Sequence, residues 1–304
     1  MFRSYNTSPS SKSGFTLIEI STVLVVIGLI TGVIIAGREL FEAASVHAQL
    51  SQIEKYNTAL HIFETKYDFL PGDIPDPSAS NYGFQARGPY DGQGDGNGVI
   101  EGNCYNSVGM RNGFNQGCGE LAVFWVDLST ANLLDSSITY KGVGYPSPTA
   151  NSTTTSTTTP NLNAWLPAAK LGNGNFVYVF SINDRNYFGV SSVTQISWLL
   201  GSSSAPGLTV QQAYNIDKKI DDSLPQSGSI TACYINYHVA TYQGVWAAGN
   251  NLQGASGGAG CIPTTTATNY ANTNCYDNNG TVGVQTYSMQ NINLPNCALS
   301  FQFQ

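Results

Sequence analysis

The clearest pattern along the chain is a long absence of charge near its start. From Ile20 to Gly37 no residue is charged and Ile, Val, Leu and Gly dominate, so the stretch spans most of a bilayer as a helix. Beyond Arg38 the pattern becomes periodic. Val46, Leu50, Ile53, Leu60, Phe63 and Tyr67 recur three or four residues apart, while Glu42, Gln49, Gln52, Glu54, Lys55, Glu64 and Lys66 fall mainly on other faces. Pro71 and Gly72 in "LPGD" end it. An unbroken helix from Phe15 to Tyr67 would run ~80 Å at 1.5 Å per residue, its first half in lipid and its second under a globular head.

The later patterns are shorter. Residues 72 to 119 are rich in Gly, Pro, Asn and Asp and read as loop. "GELAVFWVDLSTANLLD", residues 119 to 135, is apolar on nearly every side and predicts a short buried helix. Residues 147 to 163 are of low complexity, rich in Ser and Thr, and predict an exposed loop. "NFVYVFSI" and "NYFGVSSV", separated by "NDR", predict a β-hairpin. Thr209 and Gln212 form a capping box ahead of a helix whose apolar face is Ala213, Ile216 and Ile220 and whose wet face is Asp217, Lys218, Lys219, Asp221 and Asp222. From residue 230 short β-prone runs alternate with Gly- and Asn-rich turns. The fold expected is α+β: one long N-terminal helix on a head with an antiparallel sheet and short helices.

Composition narrows the function. Of the 304 residues only 10% are charged, and the net charge of −7 leaves no basic patch for nucleic acid. The hydrophobic share of 41% is enough for a substantial core. The six cysteines, Cys104, Cys118, Cys233, Cys261, Cys275 and Cys297, all follow the apolar segment and none shows C-x-x-C spacing. An even count behind such a segment points to disulfides in an oxidising compartment. Arg3 and Lys12, with no acid among residues 1 to 14, place the N-terminus in the cytoplasm and the head outside.

"GFTLIE", residues 14 to 19, leads directly into the apolar helix, and together they resemble the processing signal of type IV pilins and type II secretion pseudopilins. The resemblance implies a leader, residues 1 to 14, removed by a prepilin peptidase between Gly14 and Phe15, with methylation of the new Phe15 N-terminus. It implies a membrane and polymerisation helix at 15 to 37, a periplasmic continuation at 38 to 70, and a head at 71 to 304. A carboxylate in hydrocarbon is costly without a partner, and the resemblance gives Glu19 one in the Phe15 amine of a neighbouring subunit. The residues themselves also allow a simpler role, a negative charge beside the N-terminus of a helix. The helix lacks the proline that pilins often carry near Gly28. The implied partners are further pilins or pseudopilins, the peptidase and an inner-membrane assembly platform, with the chain in the inner membrane before it enters a filament. The resemblance also implies a disulfide stapling the C-terminal segment; nearest-neighbour pairing, one of fifteen connectivities, joins Cys104 to Cys118, Cys233 to Cys261 and Cys275 to Cys297.

One stretch offers metal chemistry. In "YDGQGDGNGVIEG", Asp95, Asn97, Gly98 and Ile100 match places in a calcium loop of the EF-hand type, but Gln93 and Cys104 stand where acids belong. Asp91 and Glu101 complete a candidate calcium set with Asp95 and Asn97; a solvated turn is the alternative. Pseudopilin heads are known to hold calcium, so the resemblance favours the ion. Catalytic patterns are weak. Ser256 lies in a glycine run without a preceding strand, and His47, His61 and His238 have no sequence partner. A structural, non-enzymatic filament subunit is expected, against two alternatives: a minor or adhesive pilin with a ligand-binding head, and a membrane-anchored envelope enzyme or binding protein.

Overall fold

The computed structural model describes residues 14–103, 107–109, 111–134, 157–158, 162–197, 201–238, 243–247, 275–277 and 286–303. Leader residues 1–13, Cys104, Cys261, Ser256 and most of the Ser/Thr-rich stretch lie outside them. The chain forms two compact units, residues 1–44 and Ser45–Gln304, and helix α1 (Leu17–Tyr67) contributes to both.

In the first unit no residue of the apolar stretch of α1 is buried, and the stretch is long enough to cross a membrane. Its few hydroxyls are satisfied locally. Ser21 donates to the Ile18 carbonyl at 2.9 Å, Thr22 to that of Glu19 at 3.0 Å, and Thr31 to those of Ile27 and Gly28 at 2.9 and 3.0 Å. A hydroxyl paired with its own helix brings no unmet hydrogen bond into lipid.

In the second unit the amphipathic half of α1 packs as its periodicity predicts, burying Val46, Leu50, Ile53, Leu60, Phe63 and Tyr67. Two polar positions behave otherwise. Gln49 and Gln52, expected on wet faces, are buried and pin a loop: Gln52 Nε2 donates to the Ala168 carbonyl at 2.9 Å, and its oxygen takes the Lys170 N–H at 3.1 Å. Gln49 accepts the Leu171 N–H at 3.3 Å. A primary amide supplies donor and acceptor together, so it caps exposed backbone where an apolar residue would leave it unmet.

Helices α2 (Ser78–Asn81), α3 (Gly119–Thr130) and α4 (Val210–Ile220) accompany a six-stranded antiparallel sheet. Its strands are β1 (Thr157–Thr158), β2 (Asn175–Ile182), β3 (Arg185–Ser197), β4 (Gly201–Ala205), β5 (Ile230–Thr231) and β10 (Leu299–Gln302). Strand β3 is the hub, pairing with β1, β2, β4 and β10, while β10 also pairs with β5. The expected hairpin is β2–β3, but Arg185 opens the second strand and the turn is Asn183–Asp184 alone, both at positive φ of 52° and 56°. Asn and Asp tolerate that left-handed conformation better than other non-glycine residues. All eight β2 residues are buried. On one side Tyr56 of α1 meets Trp125 of α3 edge-on at 4.9 Å, and Trp125 stacks on Phe188 of β3 at 6.0 Å.

Two further hairpins, β6 (Tyr234–His238) with β7 (Gln243–Ala247) and β8 (Tyr276–Asp277) with β9 (Thr286–Tyr287), complete the head. Cys275 and Cys297, both buried, form a disulfide that ties β8 to the segment entering β10; Cys118 and Cys233 are also disulfide-bonded. The capping box of α4 forms as expected, with Thr209 Oγ1 accepting from Gln212 N at 3.1 Å and Gln212 Oε1 from Thr209 N at 2.9 Å.

Candidate functional site

Two places combine chemistry with position. The first is the start of α1, where the backbone N–H groups of the first turn have no partner inside the helix. Thr16 stands just before Leu17, and its N–H and hydroxyl donate to Glu19 Oε2 at 2.7 and 2.8 Å. The Glu19 N–H returns to Thr16 Oγ1 at 3.4 Å. This is a capping box, the T-x-x-E pattern at residues 16 to 19, which a search for helix starts would find in the sequence. The carboxylate is therefore engaged within a single chain. The donors are neutral, so the expected pairing with a neighbour's amine is not tested by them. Phe15, the residue before Thr16, is 84% exposed.

The second place lies in the head, where Asp73, Asp95 and Glu120 bring carboxylate oxygens within 4.8 Å of one another. Asp73 comes from "LPGD" after α1, Asp95 from the glycine-rich loop, and Glu120 from the first turn of α3. The loop wraps them with N–H groups. Asp73 takes those of Gly96 and Gly98 at 2.7 and 2.8 Å; Glu120 takes those of Gly94, Asp95 and Glu101 at 2.9, 3.3 and 2.8 Å. Gly94 has φ of 97°, and a Cβ there would sit 2.6 Å from the Ile74 carbonyl oxygen, so only glycine lets the loop come this close.

The electrostatics of the group are unbalanced. Burial pushes the Asp73 carboxyl up to about 6, although the Gly98 and Gly96 N–H groups pull the other way and the Asp95 charge adds to the rise. Burial, and then the charge of Asp73, raises Glu120 well above the usual carboxylate range. Three acids this close, two of them buried, hold a proton or a cation at neutral pH more readily than three negative charges. The donors are all hard oxygens, and atoms 4.8 Å apart can lie on opposite sides of an ion bound at calcium distances, about 2.3–2.6 Å.

Of the three acids expected as calcium ligands, only Asp95 belongs to this group. Glu101 pairs with Arg111 at 3.2 Å. Asn97 Oδ1 caps the Val99 N–H at 2.6 Å, and Asp91, half-buried, offers its backbone carbonyl to Asn103 Nδ2 at 2.9 Å. A loop-internal spacing pattern could not reveal Asp73 and Glu120, which the fold delivers from two other elements.

A second acidic group, Asp217, Asp221 and Asp222, also lies close enough for a divalent cation. Asp217 was expected on the wet face of α4 and is instead fully buried, taking the Tyr287 hydroxyl at 2.8 Å and the Ser223 N–H at 3.0 Å. Burial pushes its carboxyl up to about 6, offset in part by those two donors. Asp127 of α3, also buried, is raised by burial while Arg87, 2.5 Å away, and the Gly72 N–H at 2.7 Å lower it. That ion pair clamps the loop after α1 to α3.

The two histidines whose side chains are described both lie on α1. His47 Nε2 lies 2.5 Å from Lys219 Nζ, joining α1 to α4, and His61 lines a shallow groove on α1 with Thr58, Ile62, Thr65 and Lys66. His238 ends β6. No protein-family model matches the chain, and comparison with curated proteins and with solved structures likewise returns no match.

Proposed function

We propose that this chain is a pilin-like subunit, cut after Gly14, held in the inner membrane by α1 and then drawn into a filament by packing of its apolar helix. It acts as a structural part and not as an enzyme; motor, platform and peptidase are other proteins. The observation that carries the reading is the conjunction at the N-terminus: "GFTLIE" opens an apolar helix in whose apolar stretch no residue is buried. In an anchor alone the carboxylate would serve only to cap its own helix. A filament gives it a partner, since in the low dielectric of packed helices a free amine from Phe15 of a neighbour compensates Glu19. The long helix on an α/β head is compatible with the family that "GFTLIE" resembles.

Mass spectrometry of the chain from membranes of cells with an active prepilin peptidase tests it. The mature form should begin at Phe15 with a methylated amine, and Gly14→Val should retain residues 1 to 14. A wild-type chain that keeps its leader overturns the reading.

A second reading concerns the head. Asp73, Asp95 and Glu120 would hold calcium, with Asp95 as the most open of the three, and the ion would offset their mutual repulsion and fix the glycine-rich loop. Its role would be stability of the head; no reaction is assigned to it.

A further inference from the structure

We infer that Asn173 is a site of spontaneous deamidation, where the folded chain exchanges a side-chain amide for a carboxylate while its other described Asn-Gly pairs are held against the same reaction. In such a pair the glycine nitrogen, having lost its proton to solvent base, attacks the asparagine Cγ. A C–N bond forms, the Cγ–Nδ2 bond breaks and ammonia leaves; water then opens the five-membered imide to aspartate or isoaspartate. Nothing is oxidised or reduced, and solvent water is the co-reactant. Glycine brings no side chain to hinder the attack.

Three Asn-Gly pairs lie among the described residues. In the first, Asn97 Oδ1 takes the Val99 N–H at 2.6 Å and the Gly98 N–H donates to Asp73 at 2.8 Å, so both reacting groups are engaged. In the second, Asn112 Oδ1 takes the Phe114 N–H at 2.7 Å, and the Asn112 backbone exchanges two hydrogen bonds with Gly102. Its glycine is hemmed in as well, since a Cβ on Gly113 would lie 2.0 Å from the Ser181 carbonyl oxygen. The third pair is open. Gly172, Asn173 and Gly174 are exposed, and neither the Asn173 side chain nor the Gly174 N–H has a hydrogen-bond partner among the described residues. The turn is fixed at its ends instead. The Gly172 carbonyl takes the Asn175 N–H and Nδ2 at 3.0 and 2.8 Å, while Gln52 and Gln49 hold the Lys170 and Leu171 N–H groups. The reaction is thereby confined to two residues at the tip, and it adds a negative charge to a chain of net charge −7.

The purified full chain in detergent is incubated in mildly alkaline buffer, folded and, in parallel, unfolded in denaturant with its disulfides reduced. Peptides from timed samples are mapped by mass spectrometry that separates aspartate from isoaspartate. In the folded chain Asn173 should convert about tenfold or more faster than Asn97 and Asn112, whose hydrogen bonds must open first. In the unfolded chain the three rates should converge, because only the fold distinguishes the pairs. Raising the pH should speed conversion at Asn173, since the attacking nitrogen must lose its proton. Asn173→Gln, whose longer side chain would have to close a six-membered ring, should remain an amide over the same period. Equal rates at the three pairs in the folded chain overturn the protection of Asn97 and Asn112. An Asn173 that converts only when the chain is unfolded overturns the site itself, because the turn would then restrain it.

Discussion

Asp73 and Asp217 carry carboxyls that burial pushes up to about 6, from an ordinary value of 3.8. The folded chain thus binds these protons more tightly than the unfolded chain does. Their contribution to stability is full below about pH 4 and is lost as pH rises through about 6. In a chelator, the melting temperature of the chain should therefore fall between pH 5 and pH 7.5. Calcium at pH 7.5 should recover part of that loss, because an ion bound only by the folded state replaces the missing proton at Asp73, Asp95 and Glu120. Asp95→Asn should fold, abolish the calcium-dependent rise and leave the part of the pH trend that belongs to Asp217. Equal melting temperatures with calcium and with chelator at pH 7.5 would remove the cation site and keep the turn. The sequence made Asp95 legible as part of a turn rich in oxygen donors. Its companions Asp73 and Glu120 were not, since nothing local distinguishes a surface acid from one that the fold buries beside another.

Elements were legible in proportion to the regularity of their patterns. Helix α1 announces itself by six apolar positions at helical spacing, and all six are buried. The β2–β3 hairpin follows from two apolar runs around Asn183–Asp184, and α4 from its capping box. What periodicity could not show is which polar residues a tertiary neighbour would claim: Gln49, Gln52 and Asp217 each look like solvent-facing positions and each satisfies backbone or hydroxyl groups inside the head. The same contrast separates two adjacent positions on α1. Phe63 is fully buried and in ring contact with Tyr67 and Phe84 at 4.6 and 5.4 Å, whereas Ile62 is 47% exposed. Phe63→Ala should destabilise the head by about 3–5 kcal/mol in denaturant titration, through lost burial and the cavity left behind. Ile62→Ala should cost about 1 kcal/mol or less, as expected of a half-exposed aliphatic side chain. Similar losses at the two positions would show that α1 does not pack on the head by the face assigned to it.

At the scale of the whole molecule the chain joins two kinds of surface that ask for different solvents. Residues 1–44 and 45–304 are separate compact units, and the core of the second begins at Val46. The exposed large apolar side chains of α1 from Leu17 to Phe41 all belong to the first unit. The Cys275–Cys297 disulfide and the two clamps on α3, through Asp127 and Glu120, also lie wholly in the second unit. Cutting the chain before Ser45 should remove the membrane requirement without opening the core. A fragment of residues 45–304, made in an oxidising compartment, should therefore be soluble without detergent, run as a monomer in size-exclusion chromatography and unfold in one cooperative step. The full chain should require detergent and should associate when detergent is withdrawn, because a bare apolar helix in water has only lipid or other copies to cover it. Melting the two forms side by side separates the contributions. A shared transition temperature would show that α1 before residue 45 anchors and assembles but does not stabilise the head; a fragment that aggregates or melts without cooperativity would show instead that the apolar half of the helix is part of the folding unit, and would count against a helix that leaves the membrane to enter a filament while its head stays folded.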